Sequence, residues 1–148
     1  MTALPSDAVV RAWARLERAH RAALSGVQAR LKNAGLPSLE WYDVLLELER
    51  AEPAGLRPFE LQKVTLFAQY NLSRLIDRME EAGLVARAAS ELDGRGQVLH
   101  VTRAGRALRR KVWPAYAEAI QHAVGRHLSE AEARTLGSLL GRLHVAVD

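Results

Sequence analysis

The chain has 148 residues, 49% hydrophobic and 26% charged, a composition that suits one folded domain and excludes intrinsic disorder. There is no cysteine, which excludes disulfides, thiolate zinc sites and cysteine redox switches. Net charge is +4, and it is uneven: Arg57 to Lys111 holds eleven basic and six acidic side chains, the remainder ten and eleven.

That excess sits where a polyanion would be met, although a patchy solvated surface gives the same count. No apolar run approaches the roughly 20 residues of a membrane span. The N-terminus also lacks the unbroken apolar core of a signal peptide, so a cytoplasmic location is expected.

In chain order, Val9, Trp13, Leu16, His20, Leu24, Val27 and Leu31 recur at steps of three and four. They predict one long helix over 6–32 with a narrow stripe suited to packing on another helix. Gly35 and Pro37 end it. Ser38 is placed to cap a second helix running to about Ala51, with Trp41, Val44, Leu45 and Leu48 on one face. A short third helix starts near Pro58 and runs to about Phe67. A fourth covers about Gln69 to Ala82, with Leu72, Leu75, Ile76 and Met79 apolar, and Gly83 stops it.

The period then changes. Leu84 to Arg87 and Gln97 to Val101 read as two strands around the polar, glycine-rich stretch 91–96, which is a β-hairpin. Thr102 caps a fifth helix to about Gly125. Ser129 and Glu132 form a capping box for the last helix, which carries Leu136, Leu139, Leu140 and Leu143. The order predicts a mainly α chain with a small β-hairpin (α+β), a winged helix-turn-helix lobe over 38–102 within a single domain. The helices at 6–32 and 103–147 would form a homodimer, because their apolar stripes exceed what a monomer exposes.

The hairpin is the most specific feature. Asp93-Gly94-Arg95, the strand after it, and Thr102-Arg103-Ala104-Gly105 resemble the wing signature of the MarR family. Leu75 to Arg87 is similar to that family's recognition-helix end and first wing strand. The resemblance spans Leu61 to Gly105 and implies a dimeric transcriptional regulator, often released from DNA by small aromatic or anionic ligands. It implies that Arg95 enters a minor groove and that Asp93 pairs with an arginine, Arg78 or Arg74. Tyr70 departs from the small polar residue more usual in the family.

The residues themselves fit such a task. Gln69, Asn71, Ser73, Arg74 and Arg78 leave the apolar face of the fourth helix, and Gln, Asn and Arg suit base edges. Tyr70 would pack on a thymine methyl or close the turn. Lys63 and Arg57 are expected on backbone phosphates, which position without specifying. Arg103, Arg106 and Arg110 share a helix face that either meets phosphate or is simply solvated. The ligand expectation falls on Trp13, His20, Trp41 and Tyr42, with Arg11 or Arg15 as the cation; the same aromatics would equally well fill a core.

Metal and cofactor are not expected. His122 and His127 are five residues apart, off register on a helix, and no carboxylate completes a ligand set at helical spacing. No nucleophile–base pair, phosphate-binding glycine loop or paired-carboxylate motif is visible, so an enzyme is not expected. The competing readings are a winged-helix assembly module and a general architectural DNA binder. The partners expected are double-stranded DNA, as a pseudo-palindromic operator, and a second copy of the chain.

Overall fold

The computed structural model describes residues 2–67, 71–90 and 96–144. Its elements are α1 (Asp7–Asn33), α2 (Leu39–Arg50), α3 (Pro58–Val64), α4 (Leu72–Glu81), β1 (Val85–Ala89), β2 (Gln97–Val101), α5 (Arg103–Ala123), a 3-10 turn at Gly125–His127, and α6 (Glu130–Leu143). This is the expected mainly helical chain with one hairpin. It divides into two compact units, one of Met1–Arg30 with Tyr116–Asp148, the other Leu31–Ala115. The lobe read from the sequence as 38–102 lies inside the second unit, which also takes in the first half of α5.

In the second unit the apolar periodicity becomes a core. Val44, Leu45 and Leu48 of α2 join Leu61 of α3, Leu72, Leu75, Ile76 and Met79 of α4, and Leu84, Val85, Leu99 and Val101 around the hairpin. Each fully buried side chain of this kind contributes about 1.5–3 kcal/mol. Truncating one such as Met79 to alanine would cost about 2–5 kcal/mol, because the neighbours fill the gap only in part.

Two helix boundaries differ from the sequence reading. α3 stops at Val64, not near Phe67, because Thr65 turns extended at φ −73°, ψ 142°. α4 begins at Leu72, not Gln69, because Asn71 adopts the left-handed conformation at φ 53°. Asparagine is among the few side chains that tolerate this region. Ser38 occupies the N-cap of α2 but makes no side-chain cap bond; its carbonyl instead accepts from the Trp41 amide at 3.1 Å.

The wing strands pair antiparallel from Val85↔Val101 to Ala89↔Gln97. A further bridge was not foreseen. Leu56, between α2 and α3, donates to the Leu99 carbonyl at 3.1 Å and accepts from the Leu99 amide at 2.7 Å. Thr102 links the hairpin to α5: its hydroxyl donates to the Gly83 carbonyl at 2.6 Å and accepts from the Gly105 amide at 3.1 Å. The cap expected of Thr102 is thus present, and it also ties down the end of α4.

In the first unit, Val27 and Ala119 are buried, whereas Val9, Val10, Trp13, Leu136, Leu139, Leu140 and Leu143 are exposed. Ser129 accepts from the Glu132 amide at 3.1 Å while the Glu132 carboxylate accepts from the Ser129 amide at 2.9 Å, the reciprocal cap read from the sequence. Among the described residues no helix is long and apolar enough to cross a membrane.

Candidate nucleic-acid interface

The second unit presents α4 with its apolar side sunk in the core and its polar side outward. Leu72, Leu75, Ile76 and Met79 are buried, and Asn71, Ser73, Arg74, Asp77 and Arg78 are exposed. Asn71 reaches the surface from the N-cap, where its left-handed backbone redirects the chain into the helix. Gln69, Tyr70, Asp93 and Arg95 lie outside the described residues, and so does the Asp93 pairing with Arg78 or Arg74.

The described basic side chains of the central third fall into two groups. Lys63, Arg74, Arg78, Arg103, Arg110 and Lys111 are exposed and make no ion pair among the described residues. Lys63 lies 5.7 Å above the ring of Phe59, itself 58% exposed. The second group is committed within the fold. Arg87 donates at 2.5 Å to both Asp77 and Glu80, which join the first wing strand to α4. The bond to Asp77, helped by the charge of Glu80, holds this guanidinium more firmly protonated than usual, against some desolvation.

Arg109 is paired with Glu49 across α5 and α2, and that bond raises its pKa in the same way. Arg106 lies 3.6 Å from Glu52, which is also 3.6 Å from His100 of the second strand. Arg106 therefore leaves the solvated basic face drawn from the helical wheel. Arg57, expected on phosphate, extends its guanidinium to the Ser90 hydroxyl at 3.0 Å while its amide donates to Glu60 at 2.9 Å.

The sequence reading gave Asp77, Glu80 and Arg87 no part in the site. The available signal was the coincidence of a carboxylate pair one helical turn apart with an arginine just after the helix-ending glycine. Asp43 was also passed over. It is 4% exposed and accepts from the Phe67 amide at 2.8 Å. Its signal was a lone carboxylate inside the apolar run Trp41 to Leu46.

The residues of the ligand expectation divide between the units. Arg11, Trp13, Arg15 and His20 are exposed on α1. Trp41 is half-buried against the core of the second unit. Tyr42 is buried and stacks on Trp113, with ring centroids 6.2 Å apart and planes at 20°. Among the described residues no group of three or more His, Asp or Glu could hold a metal ion.

An outward-facing second helix of a helix-turn-helix, followed by a hairpin rooted on it, defines a winged helix-turn-helix protein. A family model described as MarR family matches residues 34–96. AbsC, a MarR family transcriptional regulator from Streptomyces coelicolor, is 27% identical, with a TM-score of 0.82 over 96% of this chain and 95% of that one. Sco3205, a MarR family regulator from the same organism solved in complex with DNA, is 25% identical, with a TM-score of 0.82 over 95% and 91%. BpsR from Bordetella bronchiseptica, whose DNA binding is regulated by 6-hydroxynicotinic acid, is 24% identical, with a TM-score of 0.77 over 88% and 91%. No curated protein matches the chain. Residues 34–96 thus match the MarR family model, and the chain shares its fold with MarR family transcriptional regulators.

Proposed function

We propose that this protein is a transcriptional regulator that binds a pseudo-palindromic operator as a homodimer, represses from it, and is released by a small aromatic or anionic ligand. The observation that carries the reading is the outer face of α4. Ser73, Arg74 and Arg78 stand exposed on a helix whose opposite side is fixed in the core. Exposed arginines on a helix so anchored suit guanine edges and phosphates. That Sco3205 was solved in complex with DNA supports the same reading. Arg95, which the family resemblance assigns to the minor groove, would add shape readout beside it.

The homodimer reading rests on the first unit. Val9, Val10 and Trp13 of α1 and Leu136, Leu139, Leu140 and Leu143 of α6 form apolar surface that a second copy would cover. Two recognition helices would then meet half-sites about 34 Å apart. The ligand reading rests on exposed Trp13, Arg11 and Arg15, a stacking surface and cations suited to an aromatic carboxylate. BpsR is a protein of this fold whose DNA binding responds to an aromatic acid.

Selection of bound duplexes from a random pool, over a salt series, tests the core of the proposal. A palindromic consensus, with affinity falling steeply in salt, is expected. Binding without sequence preference would make the protein an architectural binder, and no salt-dependent binding would make it an assembly module. Tryptophan fluorescence titrated with salicylate-like acids, alongside release of the selected duplex, tests the ligand. A flat titration with no release removes the switch.

A further inference from the structure

Asp43 stands out among the buried groups of the second unit. It lies in the middle of α2, between Tyr42 at 5% exposure and Val44 at 0%, and is itself 4% exposed. A carboxylate enclosed in this way is costly unless it is hydrogen-bonded. Its Oδ2 accepts from the backbone amide of Phe67 at 2.8 Å, across 24 residues of chain.

Phe67 is in the connection that follows α3. The helix has ended at Thr65, whose amide closes on the Leu61 carbonyl at 3.1 Å, and the next one opens only after Asn71. Phe67 lies beyond that last helical bond, and its amide takes its acceptor from a different helix. The apolar core that α2, α3 and α4 share does not by itself fix where Phe67 sits, because hydrophobic contacts are non-directional. A charge-assisted hydrogen bond is both directional and short.

We propose that Asp43 is a positioning residue for DNA reading: its carboxylate holds the chain at Phe67, on its way from α3 to α4, and thereby sets the entry of the recognition helix into the groove. This rests on the DNA-reading function proposed above. Asp43 touches no base in this scheme; it acts through Phe67. Its removal should therefore blur discrimination between sequences more than it lowers general affinity for duplex DNA, since the phosphate-facing cations stay in place.

The test compares Asp43→Ala, Asp43→Glu and Asp43→Asn with the unmodified protein. The readouts are the ratio of affinities for the selected duplex and a scrambled one, and amide exchange at Phe67. Asp43→Ala should lose roughly tenfold or more of that ratio, in line with loss of a hydrogen bond to a charged group, and Phe67 should exchange faster. Asp43→Asn keeps an acceptor oxygen and should recover most of the ratio. Asp43→Glu reaches one methylene further and should fold yet read less selectively, which keeps the proposal testable if the alanine variant does not fold. An unchanged ratio in the glutamate and alanine variants, or unchanged Phe67 exchange, overturns the proposal. If the unmodified protein itself shows no sequence preference, the DNA-reading function fails. Phe67 exchange still decides in that case whether the carboxylate holds the chain there.

Discussion

Arg57 and Ser90, 33 residues apart in the chain, are joined by a hydrogen bond from the guanidinium to the hydroxyl at 3.0 Å. The bond runs from the start of α3 to the end of the first wing strand, and Ser90 is only 5% exposed. An arginine held there braces the hairpin against the helix-turn-helix. Replacing it should then differ from deleting a phosphate contact. Arg57→Ala is expected to weaken operator binding while leaving the slope of log affinity against log salt unchanged. Loss of one phosphate contact would instead flatten that slope by about one. A flattened slope would return Arg57 to the phosphate role.

Lys63 and Arg74 should separate in the opposite sense. Arg74→Ala is expected to relax the preference at one operator position, worth about 1–3 kcal/mol. Lys63→Ala should lower affinity across all sequences alike. Sequence selection with each variant checks this, and identical consensus sequences for both would count against base reading by Arg74.

Gly105 is closed in by backbone. A Cβ there would collide with the Leu84 carbonyl and come within 2.8 Å of Val101 Cγ2 and 3.0 Å of Leu45 Cδ2. Gly105→Ala should destabilise the second unit by about 1–3 kcal/mol, because a carbonyl cannot rotate away as a side chain would. Chemical denaturation of the two proteins measures it. An unchanged midpoint would mean that α5 can back away from the hairpin.

Much of this was legible in the sequence because it depends on local period and end signals. The stripe Leu72, Leu75, Ile76, Met79 and the stop at Gly83 located α4, and Ser129 with Glu132 located the start of α6. The connection before α4 was not legible. Gln69 and Asn71 carry helix-compatible polarity, and only the backbone shows that Asn71 turns left-handed. Nor was the sorting of the arginines. Arg57, Arg87, Arg106 and Arg109 find their partners only once the chain has folded, so composition counts them together with Arg74 and Arg78.

Acidification should destabilise the first unit in two separate windows. Partial desolvation, then the positive charges of Arg126, Arg30 and His127, hold the His122 pKa below its ordinary value. The unfolded chain therefore takes up this proton first, and stability falls as pH drops below about 6.5 until His122 is protonated in the folded state too. Hydrogen bonds that its carboxylate accepts from the Ser129 amide and the Ser129 hydroxyl hold the Glu132 pKa below its ordinary value. Its contribution is present above the carboxylate range and disappears as pH falls through that lowered pKa. His122→Gln should remove the upper window alone. NMR titration of His122 at or above the ordinary histidine value would contradict the assignment.

Leu99 gives both its backbone groups to Leu56, so the second wing strand, paired along one edge with Val85–Ala89, is pinned at this one residue on its other edge by the segment leading into α3. The root of the hairpin is therefore anchored independently of the loop between Ser90 and Gly96. Over evolutionary time such an anchor lets the loop gain or lose residues, since each added residue costs little closure entropy. The anchor cannot drift in the same way. Gly55, with φ +74°, faces the Leu99 carbonyl so closely that a Cβ would stand 2.6 Å from it. Homologous wings can thus diverge in reach while sharing one attachment.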